Sequence, residues 1–183
     1  WLEPLKQAYQ NQAAALERAI ELQVQNKLVV DQLQQVQSAT PEGLPPLSFV
    51  ELDHLREEIE IEKIRIETAE TQIELAQTSL NQAKKNQQEK EEQFRRIQNE
   101  LDQTEDPDQR TDLTHRLQLT ELAVRTAAET VRQWEIEMEN EKLQKSIHQD
   151  QLQIHQQRMT QSEGQAVFSH QDLTSQEQNL NKD

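Results

Sequence analysis

The chain has no cysteine, and only two glycines, three phenylalanines and one tyrosine among 183 residues. So few glycines exclude Rossmann, barrel and sandwich architectures, which need glycine in many tight turns. No apolar run approaches the roughly 20 residues a helix needs to cross a bilayer. Hydrophobic types make up 33% of the chain, below the roughly 45–50% of an ordinary globular domain. The composition therefore supplies apolar stripes but no thick core. Basic residues are also scarce, at 19 against 34 acidic ones, for a formal charge of -15. A surface of that sign repels nucleic-acid phosphates and anionic headgroups. The absence of cysteine permits an oxidising compartment without pointing to one. The sequence opens at Trp1 with no methionine or leader pattern, as expected of a fragment or processed product, so missing targeting signals say nothing of a parent protein.

What is present is glutamine, at 31 residues, and two breaks that hold four of the five prolines. The first runs Ser38-Ala39-Thr40-Pro41-Glu42-Gly43-Leu44-Pro45-Pro46 and cannot continue a helix. A start signal follows at once: Ser48 as N-cap with Glu51 three residues on, and Leu47 and Leu52 as a hydrophobic staple. The second break is Thr104-Glu105-Asp106-Pro107-Asp108. There Asp106 caps the next helix and Pro107 takes its first position, where a missing N–H is harmless. Asp108 adds negative charge at that helix's positive end. A break this short folds its two helices back antiparallel. A third capping box, Ser169 with Asp172 flanked by Phe168 and Leu173, follows Gly164.

Between the breaks the apolar spacing alternates three and four through Leu52, Leu55, Ile59, Glu62, Ile66, Ala69, Ile73, Ala76, Leu80, Ala83, Gln87, Lys90, Phe94, Ile97 and Leu101. A 3.5-residue period is the seam of a left-handed coiled coil. At 1.5 Å per residue such a helix is roughly 80 Å long. The return runs through Leu113, Leu117, Thr120, Val124, Ala127, Val131, Trp134 and Met138. Its phase then meets Glu141, Lys145 and His148, which predicts a shift of seam to Leu143, Ile147, Ile154 and Met159, joined by Ile136, a stutter where a third partner enters or the supercoil locally unwinds. Gln87 and Lys90 should lie opposite the Val124 region and set register.

The leading segment shows a stripe at Leu2, Leu5, Tyr9 and Leu16, continued with imperfect phase by Ile20, Val24, Val30 and Leu33. Its roughly 36 residues reach only the proximal half of an 80 Å neighbour. There the off-seam residues Ile61, Ile64 and Leu75 predict a third helix packed against them. The expected fold is all-α, an elongated antiparallel coiled-coil hairpin with a third helix on its proximal half. The expected organisation is a leading helix at 1–38, a proline-rich loop at 39–47, a long helix at 48–103 and a turn at 104–106. A return helix at 107–161 and a linker with a short helix or frayed tail at 162–183 complete it. Ion pairs Glu91–Arg95, Glu92–Arg96 and Glu121–Arg125 are spaced to form along the helices, each worth about 0.2–0.5 kcal/mol.

Little in the sequence points to catalysis. Of His54, His115, His148, His155 and His170, only the third and fourth are regularly related, about 10 Å apart along one helix, too far for one zinc ion. They read as exposed histidines on a glutamine-rich face. Glu57, Glu58, Glu60, Glu62, Glu67 and Glu70 crowd the long helix beside Arg56, Lys63 and Arg65, and read as solvated faces, since catalytic carboxyls need a cleft. Trp134 reads as seam packing, Trp1 as an end cap or the mark of a cut. No catalytic residue, cofactor site or metal site is assigned, and no phosphate-binding, calcium-loop or zinc-protease motif occurs.

The order of leading helix, proline-rich break, Leu47-Ser48-Phe49-Val50-Glu51-Leu52, long heptad helix, compact turn and return helix resembles one known family. It is similar to the N-terminal periplasmic helical ("porin") domain of large bacterial mechanosensitive channels related to the small-conductance family. The matching segments are Leu52-Asp53-His54-Leu55-Arg56-Glu57-Glu58-Ile59, Phe94-Arg95-Arg96-Ile97 and the heptads of Leu113–Met138, within a span of about Asn11 to Met159. The glutamine load departs from the pattern, and nothing here would form a pore. The resemblance implies a non-catalytic periplasmic extension of an inner-membrane, tension-gated channel that spaces or contacts subunits and modulates gating. It implies self-association or other channel subunits as partners, with no nucleic acid and no membrane insertion by this segment. Two alternatives stand beside it: a periplasmic adaptor whose hairpin tip binds another envelope protein, and a generic self-associating coiled coil.

Overall fold

The computed structural model describes residues 2–39 and 47–162. They form three helices, α1 Glu3–Ser38, α2 Phe49–Gln103 and α3 Pro107–Ser162, with no strand among the described residues. The fold is all-α: α2 and α3 make an antiparallel hairpin, and α1 packs on α3 as the third helix. The loop of prolines, Trp1, Gly164 and the capping box at Ser169 and Asp172 lie outside the described residues.

The helix boundaries follow from local chemistry. At the start of α2, Glu51 N–H donates to Ser48 Oγ at 3.2 Å and Ser48 N–H donates to Glu51 Oε2 at 2.7 Å, a closed capping box. At the start of α3, Asp106 Oδ1 accepts from Asp108 N–H at 3.0 Å. The turn carries a device absent from the sequence reading. Arg110 Nη1 donates to the carbonyls of Leu101 at 3.1 Å and Thr104 at 2.7 Å, so a side chain of α3 closes the open carbonyl end of α2.

Along α2 the heptad reading holds position by position. All fifteen seam residues from Leu52 to Leu101 are buried or half-buried, and of the other α2 residues only Ser79 and Glu91 are withdrawn from water. α2 therefore buries one narrow stripe, as a helix does when it has a single neighbour.

The chain divides into two compact units, Trp1–Leu22 with Thr71–Lys142, and Gln23–Glu70 with Leu143–Asp183. In the first, Leu80 and Ala83 of α2 meet Val131 of α3, with Trp134 and Met138 packed against them, and Lys84 pairs with Glu135 at 3.3 Å. Here α1 lies along α3, where Asn140 Nδ2 donates to the Ala15 carbonyl at 2.9 Å. Arg18 reaches Glu137 at 3.2 Å and Glu141 at 2.7 Å. The start of α1, at Pro4, shares a cavity of about 300 Å³ with Asn86, Lys90, Ala123 and Ala127. Lys90 of α2 shares that cavity with Leu122, Ala123 and Thr126 of α3.

In the second unit α2 and α3 are again antiparallel, joined by Glu70–Lys145 at 2.8 Å, Glu62–His148 at 2.7 Å and Glu58–His155 at 3.1 Å. Gln161 Nε2 donates to the Val36 carbonyl at 3.3 Å. In the first unit α1 runs parallel to α3: Pro4 lies by Ala123, Ala15 bonds Asn140 and Arg18 reaches Glu141.

Three expectations are corrected. The inward track of α1 is Leu5, Ala8, Gln12, Ala15, Ala19, Leu22, Asn26, Val29, Leu33 and Val36, a strict heptad of small, polar and branched residues. The more apolar Leu2, Tyr9, Leu16, Ile20, Val24 and Leu28 face water. Alanines win the inward positions because they let the backbone of α1 come close enough for Asn140 to bond a main-chain carbonyl. Ile61, Ile64 and Leu75 are likewise exposed, because α1 packs on α3 and leaves the back of α2 bare. Finally, α3 keeps its first seam where a takeover was expected, while the expected second track of Ile136, Leu143, Ile147 and Ile154 is withdrawn from water beside it. Lys145, His148 and His155 continue the original phase and meet carboxylates of α2. Ile147 and Ile154, both buried, form a second track, which serves the other neighbour of α3.

Candidate interaction faces

Among the described residues the most confined carboxylate is in the second unit. The Glu62 side chain is only 5% exposed, on a seam between Ile59 and Ile66. A carboxylate there must have its oxygens satisfied, since an unpaired buried charge is strongly destabilising. Both are occupied: Arg65 Nη1 donates to Oε1 at 2.6 Å, and His148 Nδ1 lies 2.7 Å from Oε2. Gln151 Oε1 stands 3.2 Å from the same nitrogen. With the carboxylate accepting at Nδ1, that nitrogen carries a proton.

One heptad on, His155 Nδ1 approaches Glu58 Oε2 at 3.1 Å off the hydrogen-bonding direction, so Nδ1 is buried without a hydrogen bond. His148 and His155 were expected to be exposed. Their side chains are instead 12% and 19% exposed and clasp α3 to α2. The acidic run divides in the same way. Glu57, Glu60 and Glu67 lie in water as expected, while Glu62 is buried, and Glu58 and Glu70 bridge to α3. Both oxygens of Glu62 are committed to neighbours, so the arrangement acts as a clasp and offers no open carboxylate to a substrate. Among the described residues no group of three or more histidine and acidic side chains is placed to hold a metal ion.

His54 sits in water near Glu57, 3.5 Å away. His115 is exposed, and His170 lies outside the described residues. Trp134 packs against the Leu80, Ala83 and Val131 cluster, in line with its reading as a seam residue. Of the three anticipated ion pairs along the helices, Glu121–Arg125 forms at 2.6 Å. Glu91 and Glu92 instead accept from Gln87 and Gln88 at 2.8 and 3.2 Å. Glutamines one turn upstream take the carboxylates.

The surfaces left over are of two kinds. One is the outward row of α1, where Leu16 is 48%, Ile20 63%, Val24 59% and Leu28 59% exposed. The other is the α2–α3 turn, where residues 105–112 are all exposed around the Arg110 clamp. Leu16, Ile20 and Val24 were legible as apolar in the sequence, whereas Leu28 was not singled out and the outward direction of the row was not legible. Comparison with protein-family models, with curated proteins and with solved structures finds no match.

Proposed function

We propose that this chain is a non-catalytic spacer and contact domain, the extramembrane part of a membrane channel gated by tension. The observation that carries this reading is the uninterrupted seam of α2, fifteen positions long and turned away from water throughout. Such a seam commits the side chains that do not face solvent to holding two helices in register. The polar clasps of α3 are committed to the same task. Side chains committed in this way suit a role in holding position rather than in chemistry. The resemblance in heptad pattern and capping to the periplasmic helical domains of large mechanosensitive channels supplies the rest: a periplasmic location, neighbouring subunits as partners, and influence on gating without ion conduction. Deleting Glu89 to Arg125 from the complete parent protein and recording tension-dependent opening in membrane patches tests it. A shifted threshold or altered kinetics is expected. Unchanged threshold, kinetics and assembly overturn it.

One observation favours a second reading, an adaptor whose hairpin tip grips another envelope protein. The exposed turn is ordered in advance by Arg110 and Asp106, which lowers the entropy lost on binding. Photocrosslinkers at Gln103 and Gln109 in the parent protein separate the two. The adaptor reading requires adducts with a different protein, and the spacer reading does not.

A further inference from the structure

We infer that the first unit holds a binding site for a single-chain anionic amphiphile, its alkyl chain in the cavity beside Pro4 and its head group on Lys90, Arg96 and Arg116. The inference goes beyond the reading above and holds whatever the parent protein does. Every residue it uses lies within that one unit.

Two cavities meet at Lys90. The first, of about 300 Å³, has an apolar wall of Pro4, Leu119, Leu122, Ala123 and Ala127. Ala123 and Ala127 are too small to fill the space between Pro4 and the two leucines, which leaves a hollow at the lower end of the size range of small-molecule sites. The second cavity, of about 540 Å³, is lined by Lys90, Gln93, Arg96 and Ile97 of α2 and Arg116 of α3, with Glu89 and Glu100 also among its walls. Heptad spacing sets both on one side of the hairpin. On α2, Asn86 of the first cavity is followed at intervals of seven by Gln93 and Glu100 of the second. On α3, Thr130 and Ala123 of the first are followed at the same interval by Arg116 of the second. Residues seven apart share a face of a coiled-coil helix, so the two cavities are successive stretches of one trough. From Ala127 to Arg116 it runs roughly 16 Å along α3 at 1.5 Å per residue.

What identifies the ligand is charge. With 34 acidic residues against 19 basic ones, cations of this chain find carboxylates readily, as Lys84, Arg125 and Arg132 do nearby. Lys90, Arg96 and Arg116 take part in no ion pair among the described residues. Lys90 is half-buried on the α2 seam, where a lysine costs stability and an anion beside it would offset that cost. Arg96 and Arg116 add two planar forks, one from each helix, that match the oxygens of a phosphate or carboxylate. An apolar hollow that leads to three unpaired cations suits a molecule apolar along its length and anionic at one end. The net charge of -15 repels an anionic membrane surface as a whole, so the ligand is taken as a single molecule and not as a bilayer.

Isothermal titration calorimetry of the 183-residue chain with dodecyl phosphate, kept below its micelle concentration, tests the inference. Saturable binding of one molecule per chain is expected. Dodecyl maltoside keeps the tail and drops the charge, and inorganic phosphate keeps the charge and drops the tail. Each should bind at least about tenfold more weakly. Arg96→Gln with Arg116→Gln, at two exposed positions, should weaken dodecyl phosphate about tenfold, toward the level of dodecyl maltoside. Ala123→Leu, which fills the hollow, should weaken both amphiphiles and leave inorganic phosphate unchanged. Circular dichroism of the arginine variant should match the wild type, since neither side chain is packed. No saturable binding of dodecyl phosphate, equal binding of the maltoside or of inorganic phosphate, or indifference to the arginine substitutions each overturns the inference.

Discussion

Glu62 concentrates the polar chemistry of the hairpin at the scale of single residues. It stands on an apolar seam with one oxygen bonded to Arg65 and the other to His148. Breaking such a group from one side and replacing it whole have opposite consequences. His148→Ala leaves the buried carboxylate short of one donor, at a cost of about 1–3 kcal/mol. Thermal unfolding by circular dichroism should show a fall of several degrees, at about 2–4 °C per kcal/mol for a chain of this size. Glu62→Leu with His148→Leu, which substitutes an apolar pair of similar bulk, should unfold at or above the wild-type temperature. A double variant less stable than the wild type would mean that the clasp adds net stability and does not only select the register. The capping box at Ser48 is a second residue-scale feature: Ser48→Ala should cost about 1 kcal/mol, read from the same melting curve.

For whole elements, the question is what each helix chose to bury. α2 was legible almost completely, because twelve apolar residues among fifteen positions at alternating three and four spacings leave one stripe for water to reject, and the structure buries or half-buries all fifteen. α1 was legible as a helix but not in its orientation. Ranking by hydrophobicity picks Leu2, Tyr9 and Leu16, yet Ala8 and Ala15 go inside, since close approach and the Asn140 bond to the Ala15 carbonyl decide the packing. Hydrophobicity predicts that a face is buried only when one partner competes for it. The His148–Glu62 clasp was half legible. Both residues fall on continued seam phases, and pairing those phases antiparallel would have joined them, but a polar run on α3 reads first as a broken seam.

These orientations can be checked against one another. Ala15→Leu should overpack the α1–α3 contact and cost about 1–3 kcal/mol, with faster amide exchange in α1 than in α2. Ile64→Ala, on the bare back of α2 and 62% exposed, should change stability by no more than about 0.5 kcal/mol. The reverse ranking would place α1 against α2, as the sequence pattern alone suggested.

Across the whole molecule the governing quantity is a formal charge of -15 on a chain with pI near 4.7. Two effects of added salt oppose each other. Screening weakens the local ion pairs, such as Lys6–Glu3, Lys63–Glu60 and Lys142–Glu139, whose side chains are all about half exposed or more. Pairs of that kind contribute about 0–1 kcal/mol each. Screening also relieves repulsion among the surplus carboxylates, which act over every separation shorter than the Debye length, about 30 Å at 0.01 M salt and about 3 Å at 1 M. The pairs are short-ranged and already solvated, whereas the surplus charge is spread along every helix and opposes the compact state as a whole. Repulsion therefore wins, and the melting temperature should rise steadily as sodium chloride is raised from about 0.01 M to about 1 M. Glu62→Leu with His148→Leu should keep the same slope, because that clasp lies out of reach of the screening ions. A melting temperature that falls with salt would show that the exposed pairs, not the seam, hold the helices together.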